Sequence, residues 1–113
     1  MTMIAICTKS GISVDEHFGH AGSFYVFDID EYEMVLKEVR FAERYCDCFR
    51  PKEEFHREDR LARIWETISD CEMLFTMKIG VPPREWLEKK GLMIVEMDCP
   101  IADIKEKIRE TNP

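Results

Sequence analysis

The sequence predicts an α/β fold: a mixed five-stranded sheet in the order 3-2-1-4-5, only strand two reversed, with helices on both faces as three α/β/α layers. Three observations predict it. Apolar runs and helical patterns follow one another in the order βββαβαβα. Strands joined through helices run parallel, by right-handed crossovers. The run Ser23–Asp30 is apolar on both sides, Phe24, Val26 and Asp28 pointing one way and Tyr25, Phe27 and Ile29 the other, so it belongs inside the sheet.

Each element has its own signal. Met3–Cys7 (MIAIC) is a short continuous apolar run, read as a buried first strand. Thr8–Gly22 is a long loop with Gly11, Gly19 and Gly22. Ser23–Asp30 turns tightly through Glu31 and Tyr32 into Glu33–Phe41, whose Glu33, Lys37, Glu38 and Arg40 are the charges of a protected sheet edge. Ala42–Phe55 is irregular, and a helix follows with Leu61, Ile64, Trp65 and Ile68 on one face. Glu72–Met77 is a fourth strand, and Lys78–Val81 turns at Gly80 into a helix opened by Pro82–Pro83 and stopped at Gly91. Leu92–Met97 is a fifth strand, and Pro100 begins a last helix with Ile101, Ile104 and Ile108 inward. The topology is the ribonuclease H-like one.

The 113 residues suit a single domain, 1–113, with one core. A net charge of -7 argues against nucleic acid as a partner, since phosphate binding needs a basic face. No apolar run has the length of a membrane span and Met1–Cys7 is too short for a signal peptide, so a cytoplasmic protein is expected. Five cysteines without an export signal read as reduced thiols.

In open α/β sheets ligands sit beyond the carboxyl ends of the parallel strands. That edge collects the loop of His17 and His20, the segment with Cys46 and Cys48, Gly80, Cys99 and the end of strand one at Cys7, while Cys71 falls at the opposite edge. Thiolate and imidazole together select zinc, copper or iron–sulfur species. Cys46-x-Cys48 is too tight for a zinc ribbon, and His17-x-x-His20 lacks the helix and glutamate of a zinc protease. Plainer roles stand beside these: a turn cap for His17, an outward His20, free thiols at Cys46 and Cys48, core positions for Cys7 and Cys71. Gly19, Gly22 and Gly80 would supply positive φ or close backbone approach, and the amides at Gly80, with Lys78 and Arg84, would face an anionic cluster. Asp15, Asp28 and Asp30 suggest a two-metal nuclease site, but strand one offers Ile4, Ala5, Ile6 and Cys7 where such a site needs a carboxylate.

HFGHA, FYVFDID, ERYC and DCEMLFTMKIGVPPREWLEKKGLMI together resemble the dinitrogenase iron–molybdenum cofactor biosynthesis family, over about Met3 to Ile108. That family includes the NifX-type carriers, the NafY core and the C-terminal domain of NifB. The resemblance implies a ribonuclease H-like fold and non-catalytic binding of an iron–sulfur cluster or iron–molybdenum cofactor precursor as cargo. It also implies cluster donor and acceptor assembly proteins as partners, with neither nucleic acid nor membrane. By position, His17 matches the histidine of the HFG motif, His20 a second histidine of the NifB-like subset and Cys46 the cysteine of the YC motif. Cys48 has no counterpart. No C-x-x-x-C-x-x-C motif is present, so the synthesis step attributed to NifB is not expected of these residues. The alternative is a zinc- or redox-responsive regulatory or interaction module using Cys46, Cys48 and His17 or His20.

Overall fold

Three consecutive strands make a meander and the next two join it through helices. The computed structural model describes residues 2–31, 33–42, 44, 45 and 57–111. The strands are β1 (Thr2–Ile6), β2 (Ser23–Ile29), β3 (Met34–Phe41), β4 (Met73–Thr76) and β5 (Met93–Glu96); the helices are α1 (Arg57–Ile68), α2 (Val81–Lys89) and α3 (Ile104–Thr111). The sheet order is β3-β2-β1-β4-β5. β2 is antiparallel to β1 and β3, while β4 is parallel to β1 and β5. This is the predicted topology.

β2 explains why the sheet is covered twice. Phe24 and Val26 join Ala5, Leu74 and Ile94 in a core closed by Leu61, Ile64 and Ile68 of α1 and Leu87 of α2. Tyr25, Phe27 and Ile29 join Ile4, Ile6 and Phe75 in a second core closed by Ile101, Ile104 and Ile108. The predicted inward set of the last helix is therefore correct, although its first turn, Ile101–Asp103, is 3-10 and only Ile104 onward is α-helical. Gly91, at φ 97, ends the turn after α2 in a conformation that glycine adopts without strain.

The ladders are short, but their pairing runs past them. Glu72 N–H donates to Met3 O at 2.8 Å, and Met97 N–H to Thr76 O at 3.0 Å. At the other edge a β-bulge falls between Val26 and Phe27, where Lys37 is the extra residue of β3. The bulge reverses the side-chain alternation of the strand, so Leu36 opposite Phe27 and Glu38 opposite Val26 lie on different faces. Arg40 then reaches Asp70 with two guanidinium nitrogens, at 2.5 and 2.9 Å, and donates to Thr67 O at 2.8 Å. This fork ties the sheet edge to the end of α1. It also holds the Asp70 carboxyl below the usual carboxylate range.

Asp70→Asn should cost about 1 kcal/mol, discounted because the carboxylate is half-exposed. The loss should be present at neutral pH and should disappear in acid. A lowered carboxyl pKa stabilises above the ordinary carboxylate value and is lost as pH falls through the folded one. Urea midpoints of both proteins at neutral pH and in acid check this, and equal midpoints at neutral pH would remove the fork from the account.

Candidate functional site

The HFGH segment is a single 3-10 turn, Phe18–His20, hung on one buried ring. Phe18 is 1% exposed and lies in the core under α1, with ring centroids 6.4 Å from Phe24 and 5.9 Å from Tyr45. The residues on either side of that anchor face out. His17 and His20 are exposed, their ring centroids 6.0 Å apart at 70°. Burying Phe18 is what turns both imidazoles toward water, because side chains flanking a buried position on a tight turn have no room inward.

Backbone bonds latch the turn to the loop after β4. Phe18 N–H donates to Lys78 O at 2.9 Å, Met77 N–H to Glu16 O at 3.1 Å, and the buried Thr76 hydroxyl lies 3.1 Å from Glu16 O. The HFGH turn therefore sits at the carboxyl end of β4, on the rim where the topology predicts a ligand. Asp15 fixes the first half of the same loop. Its Oδ1 accepts from the Lys9 N–H at 2.7 Å and faces the Thr8 hydroxyl at 3.3 Å. The Ser10 hydroxyl and then the Lys9 N–H hold this carboxyl below the usual range. Asp15 is thus a loop brace, Asp30 caps the β2–β3 turn by accepting from Glu33 N–H at 2.8 Å, and Asp28 pairs with Lys37 at 3.8 Å. These three carboxylates serve three separate places, with no shared metal site among the described residues.

Several of the expected donors take other places. Cys7 is fully buried, and burial pushes its thiol up to about 12, so it is a core residue. Cys99 is on the predicted rim but packs on the α3 face, its Sγ 3.4 Å from Met97 Sδ, whereas Phe18 belongs to the α1 face. Its backbone carbonyl accepts from Val14 N–H at 2.9 Å and pins the first loop. Cys71 lies beside Asp70 near the start of β4, as expected. Cys46 and Cys48 lie outside the described residues. Among the described residues no three His, Cys, Asp or Glu side chains gather into a metal site.

The glycine expectation needs correction. Positive φ occurs only at Gly11 and Gly91 among the described glycines, so Gly19, Gly22 and Gly80 do not supply it. Gly80 is the N-cap of α2 at φ -69, and α2 begins at Val81 rather than Pro82. Pro82 and Pro83 have no N–H, and Arg84 N–H already donates to Gly80 O at 3.1 Å. The helix start thus presents few free donors, and the expected amide cradle for an anion is mostly absent. Gly11, at φ 77, does matter: a Cβ there would meet the Tyr25 hydroxyl at 3.2 Å.

Sequence reasoning missed a cleft beside His20. It has a volume of about 440 Å³ and is lined by Lys9, His20, Tyr25, Phe41 and Arg44, among others. No sequence pattern links Lys9 to Arg44; the β2 register brings them together.

Comparison with known proteins gives a consistent result. Residues 1–111 match the family model described as dinitrogenase iron-molybdenum cofactor. The chain is 33% identical over 112 residues to the FeMo cofactor biosynthesis protein NifB of Frankia alni, covering 96% of this chain and 22% of that protein. It is 35% identical over 90 residues to the protein of the same name from Rhodobacter capsulatus, covering 80% and 19%. It therefore spans about a fifth of the length of these curated relatives. In fold it is similar to the crystal structure of PH0822, with TM-score 0.63 at 20% identity over 97% of this chain and 92% of that one. The NMR structure of a Thermotoga protein assigned to the DUF35 family gives TM-score 0.56 at 15% identity, over 97% and 89%. Among the described residues no helix is long and apolar enough to cross a membrane.

Proposed function

Because this chain belongs to the dinitrogenase iron-molybdenum cofactor family, we propose that it carries an iron–sulfur-type cluster, a nitrogenase cofactor precursor or a related species, without transforming it. The cluster is cargo, received from one assembly protein and passed to another. His17, His20 and Cys46 are its ligands in this reading, Cys48 follows two residues on in the sequence, and Gly19 and Gly22 leave the turn open. One observation carries the proposal: the Tyr45 ring lies 5.9 Å from Phe18, in the turn that bears both imidazoles, and Cys46 is the next residue in the chain. The donor set fits the cargo. Two solvent-facing imidazoles and a thiolate suit iron–sulfur species, and an exposed position suits a cluster that must leave again. The relatives named for FeMo cofactor biosynthesis support the same pathway.

Anaerobic reconstitution of the full chain with iron and sulfide should give sulfide-to-iron charge-transfer absorption. His17→Ala and Cys46→Ala should each lower cluster uptake by about tenfold or more. A colourless protein in all three cases would overturn the proposal. Stoichiometric zinc in the protein as purified, displaced by neither iron nor sulfide, would instead favour the zinc- or redox-responsive module.

A further inference from the structure

The cleft beside His20 has a chemistry that cluster carriage leaves unused. The chain is acidic, with 23 Asp and Glu against 16 Lys and Arg, so its cations have carboxylates to spare. Three cations elsewhere on the surface use them: Arg40 pairs with Asp70 and Glu38, Arg84 with Glu96 and Glu88, and Lys37 with Asp28. Lys9 and Arg44 form no ion pair among the described residues, yet both line one cleft of about 440 Å³. Glu16, the carboxylate that shares the cleft, accepts from the His17 N–H at 3.2 Å and so faces its own loop.

The Lys9 backbone and the Arg44 side chain are each set by what surrounds them. The backbone of Lys9 is fixed by Asp15 at 2.7 Å, and the Arg44 side chain lies across Gly22, where a Cβ would stand 3.5 Å from Nε. Ala42 N–H donates to Gly22 O at 3.1 Å, which closes the strand ends beneath them. The hydroxyls of Thr8, Ser23 and Tyr25 complete a polar wall, and Phe41, 79% exposed, provides an apolar one. Positive charge, hydroxyl donors and one ring in a concave space are the parts of a small-molecule site.

We infer that this cleft binds a small molecule through an anionic oxygen group, a carboxylate or a phosphate, with Arg44 and Lys9 as the charged contacts and Tyr25 and Ser23 as hydroxyl donors. The remainder of the ligand lies against Phe41. The planar guanidinium of Arg44 suits two-point recognition of either group. The site does not use iron, and its charged contacts are not the ligands proposed for the cluster, although His20 lines it.

The test uses the full chain free of iron, so its result is independent of cluster carriage. Backbone amide shifts are followed while inorganic phosphate and, separately, succinate are added. Saturable shifts at Gly22, Ser23 and Arg44 with either probe are expected, and the probe that saturates identifies the group recognised. Arg44→Gln and Lys9→Gln should each weaken that binding by about tenfold, and added sodium chloride should weaken it further. Both positions line the open cleft, and the same spectra report that each variant is folded. The absence of saturation with both probes would overturn the inference. So would saturation that both substitutions leave unchanged.

Discussion

Phe18→Ala should lower stability by about 3–5 kcal/mol, the range for removing a large buried ring without full collapse of the space behind it. The melting temperature should fall by roughly 12–20 °C on the scale expected for a domain of this size. The magnitude follows from what Phe18 touches: a fully enclosed site between Phe24 and Tyr45, in the core shared with α1 and α2. A second effect separates this residue from an ordinary core position. The turn Phe18–His20 has no side-chain cap, so the ring is what holds it to the core beside the backbone latch of Glu16 and Phe18 to residues 76–78. Well below its lowered melting point the variant should still lose cluster uptake, because His17 and His20 no longer share a fixed frame with Tyr45. Phe18→Leu keeps most of the apolar volume and should retain both properties in larger measure. Calorimetry and reconstitution of the two variants decide the matter, and an alanine variant that melts within a few degrees of wild type would remove Phe18 as the anchor.

The sheet was legible because each strand carried its burial pattern in its own residues. β2 is apolar on both faces, and the structure covers both. The amphipathic set Leu61, Ile64 and Ile68 likewise marks the face that α1 buries. The family was legible for a different reason: HFGHA, FYVFDID and the stretch from Asp70 to Ile94 are local motifs, read without knowing the fold. What could not be read depends on contacts between distant segments or on single backbone angles. The bulge at Lys37 lies in a charged edge segment, where no apolar alternation reveals the slip. The Phe18–Tyr45 contact joins residues far apart in sequence, and only the geometry of the β3 end brings them together. Glycines at 19, 22 and 80 suggested positive φ or close backbone approach; the first does not occur there, and the turns that need the unusual angle are at Gly11 and Gly91. Rim residues were over-counted because Cys7 is buried and Cys99 packs on the other face. Topology gives the edge of a side chain's strand but not the face of the sheet it packs on, and Cys99 is on the rim and on the α3 side at once.

Cys7 should make the protein lose stability in alkali. Burial pushes its thiol up to about 12 from an unfolded value of 9.0; the Thr76 hydrogen bond opposes this and the Glu16 charge adds to it. The folded state therefore binds more protons than the unfolded state between those two values. A raised pKa contributes stability that is fully present below the unfolded value and is lost as pH rises toward the folded one. Across that window the Cys7 share of the loss approaches about 4 kcal/mol, three tenfold factors in the proton equilibrium. Cys71, whose thiol burial also pushes up to about 12, adds a slope of the same sign. Cys7→Ala should cost about 1 kcal/mol at pH 8 through lost packing, yet should decline less steeply than wild type above pH 9. All other titratable groups are common to both proteins, so the comparison isolates Cys7. Urea midpoints measured in reductant from pH 8 to pH 11 carry the test, and parallel curves for the two proteins would mean that Cys7 ionises as easily in the folded chain as in the unfolded one. The same burial bears on the site. With no surface exposed, Cys7 offers no face to a cluster, so in the proposed reading the sulfur at this rim comes from another cysteine.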